Sequence, residues 1–141
     1  MIALTNLALA ISTLLGTSFQ VPACDLVDFA SAETLLGEGA SEISGGADPV
    51  LCQYMDVDGL SLLTVQVTEE DIYDVMGIPE PHTDIDVGER ARYSTDENGD
   101  LALQFIKGGF HVLLRLVPNP DRPVNIELLK TVARTAADRI P

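Results

Sequence analysis

The stretch from residue 89 to 117 constrains the fold most. "ERARYST", "LALQFIK" and "FHVLLRLV" are three runs with strand-like composition. Asn98-Gly99 separates the first two and Gly108-Gly109 the second two. Such dipeptides tolerate the positive φ that tight hairpin turns need, so the runs read as consecutive antiparallel strands. Upstream, "VLCQYMDVDGLSLLTVQV" reads as another hairpin around Asp58-Gly59. The sequence thus predicts an antiparallel sheet of about five strands.

Helices are predicted around this sheet. In "VNIELLKTVARTAADRI", Asn125 can cap a helix with Ile126, Leu129, Ala133, Ala136, Ala137 and Ile140 along one side. Asp28 can cap a short helix over "FASAETLLG", with Phe29, Ala32, Leu35 and Leu36 on one face and Gly37 as its stop. Thr68, three residues before Asp71, resembles a capping box for "EEDIYDVMG". Residues 38–49 and 78–87 read as loops. The expected order is α-β-β-α-β-β-β-α, an α+β fold with amphipathic helices packed on the sheet.

The chain has 141 residues, 46% of them hydrophobic, which suits one domain and argues against disorder. Its net charge is −14. All eight Lys and Arg residues lie at or after Arg90, whereas residues 1 to 89 carry sixteen of the twenty-two acids. Such a surface is repelled by phosphate backbones and anionic lipid, which disfavours nucleic-acid binding. Solubility is the ordinary role of the acid excess. A sharper one is that the acidic half meets cations or a basic partner, or docks on the basic half.

"MIALTNLALAISTLLGTSFQVPA" opens the chain with an apolar run from Ile2 to Leu15, followed by the helix breakers Gly16 and Pro22. Val21 and Ala23 take the minus-three and minus-one places for a cut after Ala23, as in a secretory signal peptide. Polar residues recur every seven places, at Thr5/Asn6, Ser12/Thr13 and Gln20, which also fits a retained amphipathic helix. A membrane anchor wants ~20 apolar residues, and this run is interrupted. The expected organisation is a signal peptide or apolar helix over 1–23 and a single α+β domain over 24–141. The expected location is extracytoplasmic, with membrane contact only if the segment is retained or Cys24 is lipidated.

Cys24 and Cys52 are the only cysteines. In an exported chain an even count favours a disulfide. Lipidation of Cys24, or two separate thiols in a reducing compartment, are the alternatives.

Motifs for chemistry are few. His82 and His111 are the only histidines, with no HxH or HExxH spacing, and no metal site is expected. "DVDG" and "DENGD" look like pieces of calcium loops. Counting from Asp96, the sixth place is Leu101 rather than the required Gly, so both read as hairpin turns. No GxSxG elbow marks a nucleophile, and the Gly-Gly pairs at 45–46 and 108–109 lack the Lys and helix of a phosphate loop. No cofactor is expected. One polar feature remains. Alternation puts Arg90 and Arg92 on one face of their strand, and His111 and Arg115 on one face of theirs, with Gln104 between. If those faces coincide, the sheet carries a polar, basic strip, which is either an ordinary solvated face or a ligand or partner surface.

"CDLVDFASAETLLG", "CQY", "DVGERARY", "KGGFHVLLRL" and "LLKTVARTAADRI" together resemble the small secreted or lipid-anchored bacterial proteins of unknown function abundant in actinobacteria. Their pattern is a first Cys, a helix ending in Leu-Gly, a Cys followed by x-Tyr, and a Gly-x-x-Ala element. Here these are Cys24, Leu36-Gly37, Cys52 with Tyr54, and Gly88 with Ala91. The resemblance implies an α/β sandwich similar to the PsbP-like fold and a Cys24–Cys52 disulfide. It carries over no catalytic residues. Anchored members have a separate lipidated Cys and a Ser/Thr/Pro-rich linker, and residues 1–23 carry neither.

The expectation is an exported domain that binds a partner protein or small ligand and is not an enzyme. The alternatives are an enzyme with its site around Arg90, Arg92, His111 and Arg115, and weak binding of hard cations by the acidic half.

Overall fold

The structure is a computed structural model that describes residues 21–44 and 48–141. The segment 1–20, with the choice between signal peptide, retained helix and anchor, lies outside the described residues, as do Gly45 and Gly46. The described elements are α1 (Ala23–Leu26), α2 (Phe29–Leu36), β1 (Ser41–Glu42), β2 (Leu51–Met55), β3 (Leu62–Glu69), α3 (Ile72–Met76), β4 (Thr83–Ile85), β5 (Arg90–Thr95), β6 (Leu101–Lys107), β7 (Phe110–Val117) and α4 (Ile126–Asp138).

The α+β class holds, but the strand count does not. Among the described residues the sheet has seven strands in the order β1-β2-β3-β7-β6-β5-β4, with antiparallel neighbours throughout. β1 and β4 are the two edges and fall in the predicted loops, while α1 precedes the first predicted helix. At two and three residues, these edge strands are too short to show alternation, and their side chains are mostly exposed. Short edges also present little unpaired backbone for aggregation.

All three predicted hairpins form. They make two meanders, β1–β3 and β4–β7, which join where β3 pairs with β7 from Leu62↔Val117 to Glu69↔Phe110. That register aligns Val65, Leu114, Leu103 and Tyr93 across the sheet. One face is apolar, with Cys52, Tyr54, Leu63, Val65, Leu103, Phe105 and Leu114 buried. α4 covers it with Leu129, Val132, Ala133, Ala136 and Ala137. α1 and α2 add Leu26, Ala32, Leu35 and Leu36 to the same core, whereas Phe29, predicted on that face, is exposed.

Local chemistry fixes the helix starts. The Asp28 carboxylate accepts from Ser31 N–H at 2.9 Å, and the Asn125 side chain accepts from Glu127 N–H at 2.9 Å. The Thr68 capping box does not form. Thr68 belongs to β3 opposite His111, and Asp71 occupies the N-cap of α3 without a side-chain bond. Arg139 ties the end of α4 to α1 and the α2 N-cap. Its guanidinium donates to the carbonyls of Asp25 (3.3 Å) and Leu26 (3.0 Å) and to the Asp28 carboxylate (3.0 Å). Cys24 and Cys52 form a disulfide that links α1 to β2.

Candidate functional site

The strip read from strand alternation does form. Thr68, His111, Ile106 and Arg90 lie in one register row, and Gln66, Leu113, Gln104, Arg92 and Asp84 in the next. Arg90, Arg92, Gln104 and His111 come together there. Arg115 does not; it is exposed, opposite Thr64 and Ala102, and lines a hollow of about 90 Å³ with Pro79, Asp96 and Asp100.

What organises the strip is Tyr73, a residue that no motif or spacing singles out. α3 lays it over the sheet, where it is 1% exposed. The guanidinium carbons of Arg90 and Arg92 lie 4.5 and 4.6 Å from its ring centroid, and the His111 ring meets it edge-on at 5.8 Å. Cations over a desolvated aromatic ring are attracted by its quadrupole. The Tyr73 carbonyl accepts from Arg92 Nη2 (3.2 Å) and Gln104 Nε2 (3.3 Å). Arg90 also pairs with Asp74 at 3.3 Å, and Arg92 Nη1 lies 3.5 Å from His82 Nε2.

The hydrogen bonds determine one tautomer. Arg92 Nε donates to Gln104 Oε1, so the amide turns its Nε2 toward His111 Nε2, at 2.9 Å. That ring nitrogen must accept. Nδ1 therefore carries the hydrogen and donates it to Thr68 Oγ1 at 2.8 Å. Burial, and then the Arg92 charge, push the His111 pKa below its ordinary value. Burial raises that of Tyr73, and the Arg92 and Arg90 charges oppose it. The Tyr73 hydroxyl and Ser94 Oγ are buried without a hydrogen-bond partner among the described residues.

This geometry gives a pH dependence. The unfolded chain takes up a proton at the histidine near pH 6.5, which the folded chain resists. The contribution of His111 is therefore complete above about pH 6.5 and is lost as pH falls below it toward the depressed folded value. Urea midpoints measured from pH 7 to 5 are expected to fall for the wild type and to fall less for His111→Gln. Parallel profiles for the two proteins would contradict the assignment. Asp28 and Asp56, whose pKa values are also lowered, lose their contributions at more acid pH, in the carboxylate range.

A second polar cluster faces a hollow of about 210 Å³ between the end of α2, the β2–β3 turn and the β7–α4 connection. Its floor is Asp56, Ser61 and Asn119, all buried, and its walls include Leu35, Leu36, Val124 and Leu128. Asp56 Oδ1 accepts from Leu60 N–H (2.8 Å) and Ser61 N–H (3.0 Å), and Oδ2 from Asn119 Nδ2 (3.2 Å). Burial raises the Asp56 pKa, but the Ser61, Asn119 and Leu60 bonds and the Arg122 charge outweigh it and hold the carboxyl below its ordinary value. Arg122 stands at the mouth, paired with Asp58 at 2.8 Å. Apolar walls with a few convergent polar groups are the usual make-up of a small binding site. Sequence reading missed this hollow because Leu36, Asp56 and Asn119 are far apart in the chain.

Asp96 repeats the Asp56 device. Its carboxylate accepts from Asn98 N–H (2.8 Å) and Asp100 N–H (3.0 Å). Both calcium-like fragments thus turn their leading carboxylates onto their own backbone. Among the described residues, the only group of three metal-ligand side chains within reach of one another is Cys24, Glu42 and Cys52, and its two sulfurs are bonded together.

Comparison with protein families, with curated proteins and with solved structures finds no match to this chain. Among the described residues, no helix is long and apolar enough to cross a membrane. The disulfide is compatible with an extracytoplasmic location.

Proposed function

We propose that this is an exported domain that acts by binding a partner protein or small ligand, and not by catalysis. One observation carries the reading. The central polar groups of the strip, Gln104 and His111, are engaged with Arg92 and Thr68 beneath α3, and are 0% and 1% exposed. His111 is buried with both ring nitrogens bonded, a poor arrangement for a general base that must meet a substrate. The hollow between α2 and the β7–α4 connection instead sets the exposed Thr34 and Arg122 around a buried polar floor, and we take it as the binding surface. Export is supported by the disulfide, by the signal-like opening sequence and by the resemblance to small secreted bacterial domains.

A photo-crosslinking residue placed in the host protein tests this. Position 128 lies at the hollow, and position 75 is an exposed control on α3, over the strip. A discrete adduct is expected from position 128 and none from position 75. Adducts from position 75 alone would move the site to the strip. A turnover activity that Arg92→Ala abolishes without unfolding the protein would replace the binding reading with the enzyme alternative.

A further inference from the structure

We infer that the chain, if exported, is cut after Ser18 and not after Ala23, so that Val21, Pro22 and Ala23 belong to the domain. This rests on the exported reading. Val21 and Ala23 fit the small-residue rule for a cut after Ala23, which would make Cys24 the first residue. The fold opposes that cut. Ala23 is 0% and Val21 8% exposed, and both belong to the main core. Ala23 N–H donates to the Pro49 carbonyl at 2.7 Å, which ties the entering chain to the start of the β2 hairpin. The Pro22 carbonyl accepts from Asp25 N–H at 3.1 Å, and the Ala23 carbonyl from Val27 N–H at 3.3 Å. These residues are the N-cap and first residue of α1.

A cut after Ala23 would remove two buried side chains and these backbone acceptors. It would also place a new charged amino group on Cys24, whose disulfide partner Cys52 is fully buried. Lipidation of Cys24 meets a second obstacle, because the thioether would need the sulfur that is bonded to Cys52. Upstream, the apolar run ends at Leu15, and Gly16 and Ser18 supply another pair of small residues at minus three and minus one. A cut there leaves Phe19 and Gln20 ahead of Val21.

The test has two arms. In the first, chains beginning at Phe19 and at Cys24 are released from a cleavable fusion, oxidised and melted. The Phe19 chain is expected to match a chain beginning at Met1. The Cys24 chain is expected to melt ~10 °C lower or to fail to fold. Equal melting of the Phe19 and Cys24 chains would overturn the boundary. In the second arm, terminal peptide mapping of the host protein is expected to find Phe19 first. A first residue of Cys24 would overturn the inference, and any other cut would overturn the Ser18 assignment. Retention of Met1 would overturn the exported reading itself, while the melting arm still judges whether residues 21–23 belong to the domain.

Discussion

Removing both sulfurs, Cys24→Ala with Cys52→Ala, is expected to lower stability by about 3.5 kcal/mol. The two residues are separated by 28 positions, and the bond closes a loop that holds α1, α2 and β1. In the chain-entropy model a loop of that length confines the unfolded ensemble by about this amount. Cys52 is also fully buried in the core, so substitution there leaves a small gap as well. Urea unfolding of the oxidised wild type and the double variant measures the difference. A loss of under about 1 kcal/mol would mean that the crosslink does little to restrict the unfolded chain.

Gly88→Ala is expected to cost a comparable amount, about 3 kcal/mol, from two sources. Gly88 has φ +59°, a left-handed conformation that an L side chain adopts at a cost of about 1–2 kcal/mol. A Cβ there would lie 2.5 Å from the Ile106 carbonyl oxygen, closer than real Cβ atoms approach. That oxygen accepts from Glu89 N–H at 2.8 Å at the start of the β5–β6 pairing, so it cannot move away without loss. Gly99 is the control, with φ +86° but nothing within 4 Å of its added Cβ. Gly99→Ala should cost only the conformational part. Equal losses at the two positions would show that the carbonyl contact is harmless.

Much of the architecture was legible because it rests on local signals. Asp58-Gly59, Asn98-Gly99 and Gly108-Gly109 announce turns, Asp28 and Asn125 announce helix starts, and the apolar spacing after Ile126 announces a face. Strand alternation also placed Arg90, Arg92, Gln104 and His111 on one face. It could not say what lies over that face. Tyr73 reaches it only because α3 folds back across β3, β6 and β7, a tertiary fact with no periodic signature. Thr68 misled for a related reason. Its neighbours read as a helix start, yet the ladder from Leu62 to Glu69 keeps it in β3, where it positions His111. β1 and β4 went unseen because edges of two and three residues have no room for a pattern. The hollow beside Arg122 is assembled from a helix end, a hairpin turn and a connection that lie far apart in the chain.

Export of this domain would remove its opening segment and leave the Cys24–Cys52 disulfide intact. The most direct measurement is the mass of the protein taken from its host, unfolded without reductant in the presence of a thiol-alkylating reagent. The expected result is a shortened chain with no alkyl group added. A chain that keeps Met1 and gains two alkyl groups would contradict it.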